Sequence, residues 1–523
     1  MPERASKRDQ HFLLPPSWDE LVPRDHPVRF VEAFMAELPK ETRQKLGAEE
    51  RANERGAPRY APAILAAIWI YGFMTGVRSS RELERACLEH LPFRWLSGDQ
   101  CPDHNTLWRW YDRHRSVMHE LFKQSVRTAV HAGLVDLAVM AVDGTKLQAN
   151  AAADRSLKRG DLAALLAATE ERITTQTAEW TAVLAVQTDL AIADLEAKNV
   201  TGEAPVPVMP AELRTAEALR TRVKAAIAQC DERAAATGTA ASQKAARGNV
   251  TDPEARWMKT RRGIVPGYNA QAAVVATNER AQSILGRSAP RGRIVVAATV
   301  STQPTDTAQL ATVVAAAIAG TGVIPGVTLA DAGYFEGGQL AAVAKLGVAV
   351  VVPESNDEAI TNPYHRAAFK TDAEADRMQC PKGHWLTYIG QGKTNAGEPT
   401  RKYGGIATTC RGCPAFGTCT TSKRDGRVVA LTDHDEVIQE QRRTRAFAPN
   451  RILFRRRKSL IEGVFGTIKT VLGGRQVLVR GKTKVEAEWN ALAMGVNLRT
   501  LCRIWQQLPD ERRYQVVGAM RTG

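Results

Sequence analysis

The chain has 523 residues, 44% hydrophobic and 24% charged, a balance that fits a globular protein and excludes a disordered or fibrous one. Lys and Arg outnumber Asp and Glu by 71 to 56, and the net charge of +15 points to a polyanionic partner, most commonly nucleic acid. The opening MPERASKRDQ has no apolar signal core, and the longest apolar run, Ala61 to Met74, is too short to span a bilayer, so a cytoplasmic location is expected.

Residues 1–135 are predicted to form a helical, DNA-binding domain. APAILAAIWIYGFMTG, SSRELERACLEHL and the stretch from His104 to Gly133 all carry helical periodicity, with Ser before the second and Gly133 closing the third. In the third, Trp108 and Trp110 alternate with Arg109, Arg113 and Arg115, which suits either an internally packed helix pair or a basic face on DNA. Residues 152–250 read as an inserted antiparallel helical hairpin, broken by PVPVMP at 205–210 and followed by the small-residue linker TGTAASQKAARG. Residues 136–151 and 251–354 carry the β signal. GYNAQAAVV and RIVVAATV read as strands, followed by an alternation of helix and strand through VAVVVP. The resulting order, strand–strand–strand–helix–strand–helix–strand–helix, is that of a ribonuclease H-like α/β mixed-sheet core.

Residues 355–440 hold four of the eight cysteines: Cys380, Cys410, Cys413 and Cys419. In a cytosolic chain such a cluster suggests a small insertion closed by structural zinc, with His384 able to replace one thiolate; reduced cysteines without metal are the alternative. The basic helices of 441–523 follow.

Three acids stand out. Asp143 ends the apolar run Leu137 to Val142 and precedes Gly144, a pattern that alone reads as a strand-ending turn. Asp331 likewise follows a short apolar strand in GVTLADAGYF. Glu462 is the single acid among thirteen Lys and Arg between Gln441 and Lys484, at the margin of an apolar stripe of Ile461, Val464, Phe465, Ile468 and Leu472. A Lys458–Glu462 helix salt bridge is the simple explanation, but it leaves the absence of other acids unexplained. Two strand-end acids and one helical acid, converging at one sheet edge, would suit two Mg²⁺ or Mn²⁺ ions and phosphodiester chemistry. Lys146, Arg456, Arg457, Lys458, Lys469, Arg475 and Arg480 would then hold the DNA backbone.

At these residues the sequence resembles the bacterial insertion-sequence DDE transposases, most closely the branch called insertion sequence eleven-eighty-two. The resemblance runs over nearly the whole chain: HFLLPPSWDELVPRDHPVRFV, PDHNTLWRW, VDGTKLQANA, NVTDPEARWMK, GYNAQAAV, ADAGYF and IEGVFGTIK. It implies that Asp143, Asp331 and Glu462 are the catalytic, metal-binding triad and that Lys469 is the positive residue on the same helix. It also implies double-stranded DNA, both element ends and target, as partner, and at least a homodimer on that DNA. Phe454 departs from the tyrosine common there, and Lys458 from an arginine. An inactive end-binding protein and a nuclease without strand transfer are the other readings of the same residues.

Overall fold

The computed structural model describes residues 17–47, 60–198, 210–237, 246–260, 263–286, 288–354, 362–393, 399–420, 422 and 425–513. Its N-terminal part is helical, and local signals set the helix ends. Helix α1 (Pro62–Thr75) has proline in its first turn and stops at Gly76, whose φ of +91° is one a β-carbon resists. Every residue from Leu65 to Met74 is buried, so α1 is a core helix. Helix α2 (Ser80–Glu89) starts with a reciprocal Ser79–Glu82 capping box, and α3 (His104–His114) with Asp103 accepting from Asn105 N and Thr106 N. Helix α4 (Val117–His131) completes this part. The two tryptophans of α3 divide: Trp110 is buried and Trp108 is exposed.

The central sheet is built on two long strands, β1 (Val135–Gln148) and β5 (Gly263–Thr277), which pair antiparallel. The outer edge of β5 carries β4 (Arg256–Thr260) and then β6 (Arg293–Ser301), both antiparallel. On its other side β1 pairs in parallel with β7 (Val327–Leu329), and β7 with β8 (Ala349–Val351). The six-stranded sheet therefore runs β4–β5–β1–β7–β8, with β6 also paired to β5, so that β6–β5–β1–β7–β8 is a continuous path through it. Helices α7 (Leu310–Thr321) and α8 (Gly337–Lys345) connect the later strands. From β6 onward the alternation of strand and helix is as the periodicity predicts, while β4 and a short helix at Glu279–Leu285 are additions to the expected order. One expected element also differs: the strand does not end at Asp143 but continues through Asp143–Gly144 to Gln148, because β5 pairs with it along that whole length.

Two segments lie outside this sheet. After β2 (Ser156–Lys158), α5 (Arg159–Lys198) and α6 (Ala211–Thr237) pack together through Leu162, Ile173, Leu213, Ala216 and Val223, and the chain returns as β3 (Arg247–Asn249), paired with β2. The proline break at 205–209 and the linker at 238–245 lie outside the described residues. The cysteine-bearing segment forms its own antiparallel sheet of β9 (Lys370–Asp372), β10 (Arg377–Gln379), β11 (Trp385–Lys393), β12 (Pro399–Gly405) and β13 (Val428–Thr432), around Phe369, Met378, Leu386, Tyr403 and Val429.

The chain then runs through α9 (Asp435–Ala446), α10 (Ala448–Phe454) and α11 (Arg456–Gly466), a π-helical turn at Thr467–Val471, and α12 (Lys482–Gln506). Helix α12 lies between β6 and the N-terminal helices α1 and α4, and one hydrophobic core runs through all of them. Its buried Asn497 is matched to the Val295 backbone and to Ser125 Oγ, and Trp489 Nε1 donates to Gln271 O. The N-terminal helices are also fastened by a buried ion pair, Arg78 Nη1 to Glu488 Oε1 at 2.7 Å. Arg78 also donates to the carbonyls of Gly473 and Gln476, while Glu488 accepts from Leu478 N and Val479 N. The same 473–479 segment meets the end of β1, through Gln148 N to Arg475 O and Val477 N to Gln148 O. Among the described residues no single helix is long and apolar enough to cross a membrane.

Candidate active site

Parallel pairing of β1 with β7 ends at Ala141 opposite Leu329, and just beyond it stand Asp143 and Asp331. Asp143 is half-buried. Its Oδ1 accepts from Gly144 N and its Oδ2 from Arg457 Nη1, each at 2.8 Å. Burial pushes the Asp143 carboxyl up to about 6; the Arg457 guanidinium pulls it down, and the negative charge of Asp331 adds to the rise. Asp331 caps the short turn Ala332–Tyr334, its Oδ1 accepting from Gly333 N at 2.9 Å. Arg457 reaches Asp143 from the first turn of α11 and lies 5.8 Å from the centre of the Phe454 ring, which Arg445 also covers at 4.7 Å. Phe454 therefore packs against two guanidinium groups, a role that needs no hydroxyl.

The third acid is placed differently. Glu462 lies on α11, whose Leu460, Ile461 and Val464 are buried, but its own side chain is 63% exposed, with Lys458 at 3.9 Å. Among the described residues no group of three or more His, Cys, Asp or Glu side chains is arranged to hold a metal ion. Asp143 and Asp331 come together past the end of the β1–β7 pairing, while Glu462 stands exposed on α11 beside Lys458. Both Asp143 oxygens are already engaged, and Glu462 is turned to solvent.

Cys380, Cys410, Cys413 and Cys419, with His384, line one cavity of about 280 Å³, and all four thiols are free. They share a cavity but do not form a ligand set. Burial, together with the neighbouring thiols, pushes the Cys419 thiol up, while Arg427 opposes the shift.

Of the basic residues expected on DNA, Arg456, Lys458, Arg475 and Arg480 are exposed. Arg475 Nε is tied to Lys469 O and Arg480 Nε to Asn150 O. Lys469 is partly buried. Arg457 is committed to Asp143. Lys146 pairs with Asp306 Oδ1 at 3.2 Å, and strand alternation puts it on the opposite face of β1 from Asp143.

Asp306 and its partners are the group that sequence reasoning missed. Asn269 and Gln271, fully buried on β5 opposite Lys146 and Gly144, both donate to Asp306 Oδ1. Two amides two residues apart inside an Ala/Val strand were the readable signal. They also explain Gly144. A β-carbon there would lie 2.5 Å from both Asp306 Oδ1 and Gln271 Nε2, so the glycine gives room to this network rather than making a turn. Gly144→Ala is expected to destabilise the fold by about 1–3 kcal/mol, as overpacking of a locked site does; a thermal-melting comparison with wild type reads this directly.

Residues 379–502 match the family model described as Transposase DDE domain, and residues 16–113 match Transposase domain (DUF772). No curated protein and no solved structure matches the chain. The first match contains Glu462 and most of the cysteine-bearing sheet, and the second contains α1, α2 and most of α3. Both matches are to transposase domains, and together they support an insertion-sequence transposase enzyme.

Proposed function

We propose that this chain binds the terminal inverted repeats of its own DNA element, cleaves there and joins the exposed end to target DNA. The observation carrying this reading is the side-by-side placement of Asp143 and Asp331 beyond the last parallel pairing of β1 and β7, with Arg457 of the basic helix α11 paired to Asp143. We read the strand order β6–β5–β1–β7–β8 as ribonuclease H-like, with the acids where such a sheet opens to substrate. Exposed Arg456, Lys458, Arg475 and Arg480 supply positive charge for the phosphodiester backbone. Arg457, already at Asp143, can offset charge on a phosphate held there. A DDE domain generally implies divalent-metal use, and Asp143 and Asp331 are hard oxygen donors of the kind Mg²⁺ takes. Glu462 is the third acid by sequence resemblance and lies within the DDE match.

The test is a strand-transfer assay on labelled DNA carrying the element's inverted repeats, comparing wild type with Glu462→Gln. Joined products from wild type alone support transposition. Cleavage without joining favours a nuclease, and binding without either favours an end-binding protein. Because the Lys458–Glu462 pair is solvent-exposed, its loss should shift stability by less than about 1 kcal/mol. Glu462→Gln is therefore expected to melt like wild type while losing both products.

A further inference from the structure

We propose that Asp306 is a positioning residue that fixes the Asp143 and Asp331 segments relative to one another; this rests on reading that pair as the reaction centre. Asp306 lies in the loop between β6 and α7, with a side chain 22% exposed. Its Oδ1 accepts from Asn269 Nδ2 at 2.7 Å, Gln271 Nε2 at 2.8 Å and Lys146 Nζ at 3.2 Å. The two amides are committed further. Asn269 Nδ2 also donates to Thr305 O, Gln271 Nε2 donates to Asn269 Oδ1, and Gln271 Oε1 accepts from the Tyr334 hydroxyl.

This network has two ends. Lys146 sits on β1, the strand of Asp143. Tyr334, fully buried, closes the turn that Asp331 opens. Asp306 is the acceptor common to both arms, and it also lies close to the turn itself. A β-carbon on Gly333 would stand 3.1 Å from Asp331 Oδ1 and 3.7 Å from Asp306 Oδ2, so the two carboxylates flank one point. The charge is required as well as the shape. Three donors, one of them an ammonium and two of them fully buried amides, meet on a single oxygen, and a carboxylate satisfies them better than an amide. Held in this way, the Asp331 turn cannot drift from β1 without breaking hydrogen bonds of the fully buried Asn269, Gln271 and Tyr334.

The experiment measures single-turnover cleavage and Kd on inverted-repeat DNA for Asp306→Asn, Asp306→Glu, Lys146→Met, Tyr334→Phe and Asp143→Asn. Hydrogen exchange of the 330–335 peptide is followed in parallel. Asp306→Asn is expected to cleave about a hundredfold more slowly, the order that a 1 Å misplacement at a reacting centre produces, with Kd unchanged and faster exchange in that peptide. Asp306→Glu should recover part of the rate. Wild-type cleavage by Asp306→Asn beside an inactive Asp143→Asn would overturn the role of Asp306 alone, whereas an active Asp143→Asn would overturn the reading beneath it. Slow cleavage with unchanged exchange would show that Asp306 acts on substrate directly and is not a positioning residue. Should Asp306→Asn fail to fold, wild-type rates in both Lys146→Met and Tyr334→Phe would overturn the proposal.

Discussion

Asp143→Asn is expected to lower DNA cleavage and joining by at least about a thousandfold, about 4 kcal/mol of transition-state stabilisation, while binding of inverted-repeat DNA persists. The substitution keeps the size of the side chain but removes its charge, and it can turn an amide NH₂ toward the Arg457 guanidinium that Oδ2 now accepts from. Two effects are therefore mixed, and Arg457→Met separates them, because it removes the ion pair while leaving the carboxylate. Melting curves of both variants report what the half-buried pair contributes to the fold; cleavage and filter-binding assays report the rest. Loss of binding in parallel with cleavage would make Asp143 a structural residue. Retained cleavage would remove it from the chemistry altogether.

The second large effect concerns the joint between the N-terminal helices and the sheet. Arg78→Met is expected to destabilise the protein by about 3–5 kcal/mol, because it leaves the Glu488 charge buried without its partner. Glu488 is 3% exposed at its side chain and Arg78 8%, so water cannot substitute for either. The loss extends to the Gly473 and Gln476 carbonyls that Arg78 also serves. The double variant Arg78→Met/Glu488→Met should cost less than the sum of the two single changes, since neither charge is then stranded, although Leu478 N and Val479 N lose their acceptor. Denaturant unfolding of the four proteins gives the coupling. Strict additivity would show that the pair does not act as a unit.

Much of the fold was legible because β6, β7 and β8 are apolar runs bounded by turn signals and several helices carry caps. The β5, β6, β7 and β8 segments stand where periodicity places them. Asp143–Gly144 misleads for a definite reason. The pair has the chemistry of a turn, but the long partner β5 extends the strand through it, and the need for glycine comes from Gln271 and Asp306, remote in sequence. Asp143 and Asp331 are each visible as acids after apolar strands, and the parallel register of β1 and β7 brings their segments together. Asp306 was not singled out because it lies in a polar loop where an aspartate is ordinary. Only the tertiary structure shows which buried amides it serves. The four cysteines, spread over forty residues, come together around one cavity only through the folding of their own small sheet.

The narrow neck made by β2 and β3 has a consequence for how the chain reaches its native state. The central pairing joins β1 to β5 across an intervening segment of more than a hundred residues, and closing so long a loop in one step is slow. Helices α5 and α6 can form from local contacts, and pairing of Ser156–Lys158 with Arg247–Asn249 then gathers the ends of the segment. Once the neck has closed, residues 149–155 on one side and 250–262 on the other separate it from β1 and β5, and the long-range ladder closes over a far shorter loop. The hairpin thus acts during folding as a clasp that shortens the search for the pairing on which the site depends.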